Sequence, residues 1–161
     1  SSEQKVGFYG LDLYSLYGSI DSVLDYLQKV DPKMVKTARE RYGCLMPWSD
    51  EPSLYGGAVI TQKHEGCETE VLKNLQDLLK KRLEYSAAHE EQFFDAEQNA
   101  KLIVDAERYY RTMYYAEDNS WNQRDQHMMK VLQAVLDFKG PKSRFGDNDR
   151  LAALVAELVG A

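Results

Sequence analysis

Apolar side chains recur three or four residues apart along most of the second half of the chain. They form three long segments, at about residues 68–87, 90–115 and 120–138. This spacing places one apolar stripe on each helix, and each stripe needs a partner that shields it from water. Because the joints between the segments are short, the pattern predicts an antiparallel helical bundle, and the expected fold class is mainly α.

Each predicted helix has a defined inner face. The expected core positions are Val71, Leu75, Leu78, Leu79 and Leu83 in the first; Phe93, Ala96, Ala100, Ile103, Tyr110 and Met113 in the second; and Trp121, Met128, Leu132, Val135 and Leu136 in the third. Residues 118–120 read Asp-Asn-Ser, which are side chains that cap helix starts. We therefore expect the third helix to begin at Ser120.

The N-terminal part predicts one strand and two helices. Residues 5–11 are short, apolar and aromatic, which indicates a single strand. A helix is expected at about 14–29, followed by a second that runs to about Tyr42. Asp31 is the expected N-cap of this second helix and Pro32 its first residue.

Two stretches contain helix-breaking residues. Residues 43–66 contain two prolines and several glycines, with a short β-like run at 58–61, and predict a long surface connection. Residues 139–147 predict a linker to a last helix at about 148–159. We expect residues 1–161 to form a single helical domain.

Composition limits the functional classes. The 161 residues are 43% hydrophobic and 29% charged, which suits a globular protein, and the net charge is -6. Basic residues are interspersed with acidic ones and form no basic face, so neither nucleic acid nor an anionic membrane surface is an expected partner. We expect no transmembrane run and no signal peptide. Two cysteines, Cys44 and Cys67, predict free thiols in a cytoplasmic protein.

The candidate site residues are Asp12, Arg124, Asp125 and His127. Arg124, Asp125 and His127 lie within about one helical turn, where they could bind and polarise an anionic or carbonyl substrate. The alternative is structural, since ion pairs near a helix start commonly anchor neighbouring helices. Asp12 follows the predicted strand, where ligands bind in α/β sheets, although capping a helix is the commoner role of such a residue.

No metal or cofactor is expected. His64 and Cys67 have the spacing of half a zinc site, but the sequence offers no second short-spaced pair. Glu97, Asp105 and Glu107 share one predicted helix without the Glu-x-x-His pattern of di-iron bundles.

Several segments together resemble the erythromycin esterase-like family, in the same order and at similar spacing. They are residues 6–16, Asp31-Pro32 with 38–44, 93–100, 106–111 and 120–128. The last reads Ser-Trp-Asn-Gln-Arg-Asp-Gln-His-Met, and the resemblance covers about residues 5–138. It marks Arg124 and Asp125 as cleft-lining residues, and His127 matches a position of the same pattern without being the expected general base.

The resemblance implies metal-independent hydrolysis of an ester or macrolide lactone, with water activated by a histidine. It also implies essential histidines in Gly-Glu-x-x-His and His-Asn-x-His segments, neither of which occurs in this sequence. The expected function is therefore the helical, cleft-forming part of such a hydrolase, a fragment of a larger α/β protein that is inactive alone. Its expected partners are that missing α/β core, or a second copy paired through the strand edge at 5–11.

A second functional hypothesis comes from another class. Eleven tyrosines supply large side chains with a polar tip, which suit half-buried surfaces. The alternative function is thus a non-catalytic helical domain that binds a partner or a small ligand through a tyrosine-rich face.

Overall fold

A computed structural model of the chain describes residues 9–87, 89–115 and 117–140. Within these ranges the chain forms seven α-helices and two short 3-10 turns, without any β-strand. The helices are Leu16–Val30 (α1), Pro32–Tyr42 (α2), Ser53–Ile60 (α3), Glu68–Lys80 (α4), Arg82–Ser86 (α5), Glu90–Thr112 (α6) and Glu117–Lys139 (α7). The 3-10 turns are Leu13–Ser15 and Met46–Trp48. The predicted mainly α class is confirmed.

The predicted strand is not observed in the part of it that the structure describes. Residues 9–11 have no strand pairing, and residues 5–8 lie outside the described ranges. Asp12 caps the first 3-10 turn by accepting a hydrogen bond from the Leu13 amide at 2.7 Å. The chain therefore turns towards α1 directly after residue 11. The predicted linker beyond residue 140 and the helix at 148–159 also lie outside the described residues.

The start of α2 agrees with the sequence. The Asp31 side chain accepts a hydrogen bond from the Met34 amide, and Pro32 is the first helical residue. Asp31 also accepts hydrogen bonds from Lys81 and from the Tyr85 hydroxyl. This one carboxylate therefore caps α2 and also ties α2 to the α4–α5 region.

The prediction of a surface connection at 43–66 was wrong. This segment contains the Met46–Trp48 turn and α3, and the β-like run at 58–61 covers the last turn of α3 and Thr61. Tyr55 of α3 is buried, and its hydroxyl donates a 2.6 Å hydrogen bond to Glu107 of α6. Burial of Tyr55 and this distant partner hold a glycine-containing helix in place where local composition suggests a loop.

The single helix expected at 68–87 is interrupted at Lys81. Val71 and Leu78 are buried as predicted, but Leu83 is 88% exposed. The interruption lies where Lys81 and Tyr85 bind Asp31. Because α4 ends at Lys80 and α5 begins anew at Arg82, the helical spacing of α4 does not continue into α5. Leu83 therefore does not join the apolar stripe of α4, and it faces solvent.

The last described helix starts earlier than expected, and its inner face agrees only in part with the prediction. It begins at Glu117, so residues 118–120 lie inside the helix and are not its N-cap. The buried positions are His127, Val131 and Val135, spaced four residues apart, whereas Trp121 is 64% exposed. The predicted apolar stripe is therefore wrong at its first residue, Trp121, and correct at Val135.

The long helix α6 lies at the centre and packs against α1, α3, α4, α5 and α7. Its buried residues Ala96, Ala100, Ile103 and Ala106 belong to the main core with residues of α1 to α5. A separate, smaller cluster of Phe94, Val131 and Val135 lies under α7. None of the helices in the described ranges combines the length and hydropathy needed to cross a bilayer.

The two cysteines form a disulfide, which corrects the expectation of free thiols. Cys44 follows α2 and Cys67 precedes α4, with their Cα atoms 6.0 Å apart. The two cysteines are 23 residues apart in the sequence, and no sequence motif indicates that they pair. The disulfide could therefore not be predicted from local sequence. Disulfides persist in oxidising surroundings, and the cytoplasmic location stays a prediction.

Candidate functional site

The structure brings together two of the predicted site residues, Asp12 and Arg124. Arg124 Nε donates to Asp12 Oδ1 at 3.0 Å, and Nη2 donates to Oδ2 at 2.6 Å. Both side chains remain partly exposed. This two-point contact fixes the plane of the guanidinium group between the turn at residue 13 and α7.

The charges of this pair stabilise each other. The hydrogen bond from Arg124 lowers the pKa of Asp12 against the opposing effect of burial, and the Leu13 amide lowers it further. The hydrogen bond to Asp12 raises the pKa of Arg124. Both groups therefore stay ionised over the whole neutral range.

Aromatic rings flank the guanidinium group. The Arg124 Cζ atom lies 4.8 Å from the centre of the Tyr14 ring and 5.8 Å from that of Trp121. Tyr14 is 59% exposed and Trp121 is 64% exposed. Burial raises the pKa of Tyr109, as does its neighbour Tyr14. We refer to Asp12, Arg124, Tyr14 and Trp121 as the Arg124 platform.

The predicted residue His127 lies in the interior, where it pairs with Asp105 of α6. Its Nδ1 atom is 2.8 Å from Asp105 Oδ2, and the side chain is 1% exposed. From the sequence, Asp105 was weighed only as a possible metal ligand. Its contact with His127 could not be predicted, because the two residues lie on different helices and no sequence spacing links them.

Asp125 does not join this site. Its side chain is exposed and makes no hydrogen bond or ion pair within the described part of the chain. On the helix it points away from Arg124, since neighbouring residues lie about 100° apart. Of the four predicted residues, Asp12 and Arg124 form one pair, His127 belongs to another, and Asp125 faces solvent.

A buried polar network joins α3, α4 and α6. The Tyr55 hydroxyl accepts a hydrogen bond from the Cys67 amide at 2.7 Å while it donates to Glu107. Arg111 Nε donates to the same Glu107 oxygen at 2.8 Å, and Arg111 also pairs with Glu68. Burial and Glu107 raise the pKa of Tyr55. Because Tyr55 and Glu107 are buried and each has a partner, the network positions α3.

The larger of two described clefts, about 690 Å³, lies along α1 and α6 and does not include the Arg124 platform. Its wall contains Tyr26 and Asp95. Burial raises the pKa of Asp95, and the nearby Glu91 raises it further. Sequence reasoning did not single out either residue. Among the described residues, no group of three or more His, Cys, Asp or Glu side chains is arranged to hold a metal ion.

The chemistry available at the Arg124 platform is recognition of an oxygen atom. An arginine has five N–H donors, and the contact with Asp12 uses two of them. The remaining donors belong to a guanidinium group that lies close to the exposed rings of Tyr14 and Trp121. A carbonyl oxygen on an apolar molecule matches this combination of donors and aromatic surface.

Comparison of the sequence with known proteins assigns the chain to a family. The family model described as Erythromycin esterase matches residues 1–148, which include Asp12, Asp105, Arg124 and His127. No solved structure matches the chain. Since the match covers most of the 161 residues, the chain belongs to the erythromycin esterase family.

Proposed function

We propose that this chain forms the helical, cleft-forming part of an ester hydrolase of its family, and that the Arg124 platform binds the substrate. The two-point contact of Arg124 with Asp12 carries the proposal, because it leaves a fixed guanidinium group with free donors close to two exposed rings. A group fixed before binding loses little conformational freedom when a ligand arrives.

The charge of the platform suits a neutral substrate. Asp12 compensates Arg124, so the pair carries no net charge and does not require an anion. Hydrogen bonds from a charged donor are nevertheless strong, and a lactone or ester carbonyl can accept them. The rings of Tyr14 and Trp121 offer an apolar surface next to that oxygen.

Binding of erythromycin A to the full chain tests this role. Trp121 is a built-in reporter, and its fluorescence should change on titration, while a Trp121→Phe variant should lose that signal. Arg124→Lys keeps the charge but cannot reproduce the two-point contact, so we expect roughly tenfold weaker binding. Arg108→Lys, an exposed arginine on α6, is the matched control and should bind like the parent chain.

Two results would reject the binding role. One is equal affinity of the parent chain and a folded Arg124→Lys variant, as judged by circular dichroism. The other is absence of any erythromycin binding at millimolar concentration.

The chain is proposed to be inactive alone, because it lacks both histidine segments that the family resemblance implies. Neither erythromycin nor p-nitrophenyl acetate should be hydrolysed above the buffer rate. Because His127 is buried and paired with Asp105, we do not expect this histidine to attack a bound ester directly. Hydrolysis that disappears in His127→Ala but survives in Arg108→Lys would overturn this part of the proposal.

A second function is favoured by the exposure of large aromatic side chains. Tyr14, Tyr115 and Trp121 are each more than half exposed, which is typical of surfaces that bind other proteins. In this alternative the chain is a non-catalytic helical domain that binds a partner, such as a second copy, or a small ligand through its tyrosine-rich face. Sedimentation at several concentrations separates the cases: Tyr14→Ser and Trp121→Ser should abolish self-association if this face mediates it.

A further inference from the structure

A second cleft, of about 300 Å³, lies where α4, α6 and α7 meet, and it carries a feature that the Arg124 platform does not explain. One part of its wall is apolar and is formed by Leu75, Val104, Val131 and Ala134. The polar part is formed by Gln98, Lys101, Asp105, His127 and Lys130. A small apolar cleft with a few convergent polar groups is the usual form of a ligand site.

His127 in this wall has one unused ring nitrogen. Nδ1 contacts Asp105 at 2.8 Å, whereas Nε2 is buried and has no hydrogen-bond partner among the described residues. An ionised carboxylate can only accept hydrogen bonds, so the proton of this contact lies on Nδ1. In its neutral form the ring presents a lone pair at Nε2, which accepts a hydrogen bond from a hydroxyl donor.

A buried polar atom without a partner is costly, and most such atoms in folded proteins are satisfied. Asp105 fixes the orientation of the ring, as a carboxylate does for histidines in many sites. The rest of the wall supplies no partner for Nε2 among the described residues. A group that occupies the cleft is therefore the expected donor.

One of the two lysines in the wall is available to pair with an anionic group, whereas the other is already paired. Lys101 is held by the buried carboxylate of Glu97 at 2.7 Å. Lys130 is exposed and forms no ion pair within the described part of the chain. It lies three residues after His127 on α7, so both side chains are on one helix face.

We propose that this cleft binds a small hydroxy carboxylate. The ligand's hydroxyl donates to His127 Nε2, its carboxylate pairs with Lys130, and its apolar body lies against Val104 and Val131. The site is separate from the Arg124 platform, and it does not depend on the proposed hydrolase role.

Mandelate is a suitable probe, since it combines a phenyl ring, a hydroxyl and a carboxylate in a molecule smaller than the cleft. Calorimetric titration into the full chain should show roughly tenfold tighter binding of mandelate than of phenylacetate, which lacks the hydroxyl. A similar loss is expected for 1-phenylethane-1,2-diol, which lacks the carboxylate. Lys130→Met should weaken mandelate binding by roughly fivefold to tenfold, while Lys33→Met, an exposed lysine of α2, should not.

Nitrogen-15 NMR of the histidine side chains gives a second readout that does not depend on a variant folding. The His127 ring should show a protonated Nδ1, and mandelate should shift the Nε2 resonance while phenylacetate leaves it unchanged. The proposal is overturned if mandelate and phenylacetate bind equally. It is also overturned if the chemical shift of Nε2 does not change when mandelate is added, because a trapped water would then be the partner of this atom.

Discussion

Gly56 shows how strongly a single residue can depend on a neighbouring helix. A Cβ atom added at this position would lie 2.1 Å from the backbone oxygen of Tyr110 in α6. Backbone cannot move aside as a flexible side chain can, so α3 and α6 would have to separate. Only glycine permits this close approach, and the same closeness lets Tyr55 reach Glu107.

We predict that Gly56→Ala destabilises the protein by about 1–3 kcal/mol, because the added methyl group overfills a close contact. Gly57→Ala is the matched control. An added Cβ there has its nearest neighbour at 4.0 Å, and alanine favours a helix, so stability should be unchanged or slightly raised. Urea unfolding of both variants measures the difference. Equal stability of the two would contradict the close approach.

The contacts of Asp31 determine part of the pH dependence of stability. Hydrogen bonds from Lys81 and Tyr85 lower the pKa of this carboxyl group below its ordinary value of 3.8. Burial and Asp31 in turn raise the pKa of Tyr85 to about 12. A lowered carboxyl pKa stabilises the fold above the unfolded value, and that contribution is lost as the pH falls through the folded value.

The free energy of unfolding should therefore fall as the pH drops below about 4, with Asp12 and Asp77 acting in the same direction as Asp31. Asp31→Asn keeps the capping oxygen but removes the charge, so it should cost about 0.5–1 kcal/mol at pH 7 and flatten the acid limb of the profile. Asp21→Asn, exposed on α1, is the control and should leave the profile unchanged. Urea unfolding across the acid range measures both variants, and a steeper acid limb in Asp31→Asn would contradict the assignment.

At the scale of the helices, sequence reasoning succeeded where local signals decide the structure. The Asp31-Pro32 start of α2 is such a case, since the cap and the first residue are neighbours in sequence. It failed at 43–66, where α3 depends on the contact of Tyr55 with Glu107, 52 residues away. The same holds for the site: Asp12 and Arg124 were each singled out, but their pairing joins positions 112 residues apart and follows only from the packing.

The interruption at Lys81 predicts different roles for two leucines of one apolar stripe. Leu78, in α4, is buried, whereas Leu83, in α5, is exposed. Leu78→Ala should cost about 2–5 kcal/mol, because it leaves a cavity in the core. Leu83→Ala should change stability by less than about 0.5 kcal/mol. Thermal unfolding of the two variants tests this, and a large loss in Leu83→Ala would mean that the helix continues through Lys81.

The Cys44–Cys67 disulfide closes the segment that contains α3. The chain-entropy model gives a disulfide with a separation of 23 residues a stabilisation of roughly 3 kcal/mol. Reduction with dithiothreitol should therefore lower the melting temperature of the parent chain. A Cys44→Ala/Cys67→Ala double variant should melt near the reduced parent and ignore the reductant. A parent chain that is insensitive to reductant, with two free thiols by mass spectrometry after alkylation, would contradict the bond.

For the whole molecule, the two apolar clusters divide the helices unequally. The main core joins α1 to α6, with α6 at its centre. Within the described residues, α7 packs on the small cluster around Phe94, Val131 and Val135. Polar contacts add to this packing: Asp12–Arg124, Asp105–His127, Thr112–Gln123 and Glu91–Lys139. Elements with few buried apolar contacts open at lower free energy than the core.

We therefore predict that α7 opens before the rest of the fold. Native-state hydrogen exchange should be faster for amides at 128–137 than for those in the middle of α6. Val135→Ala should accelerate exchange in α7 alone, because Val135 belongs to the small cluster. Ile103→Ala is the matched comparison: this residue is fully buried in the main core, so its truncation should accelerate exchange in α1, α4 and α6 together. Uniform acceleration of all helices by both variants would show that the two clusters unfold as one unit, and α7 could then not move independently to admit ligands to the cleft beside His127.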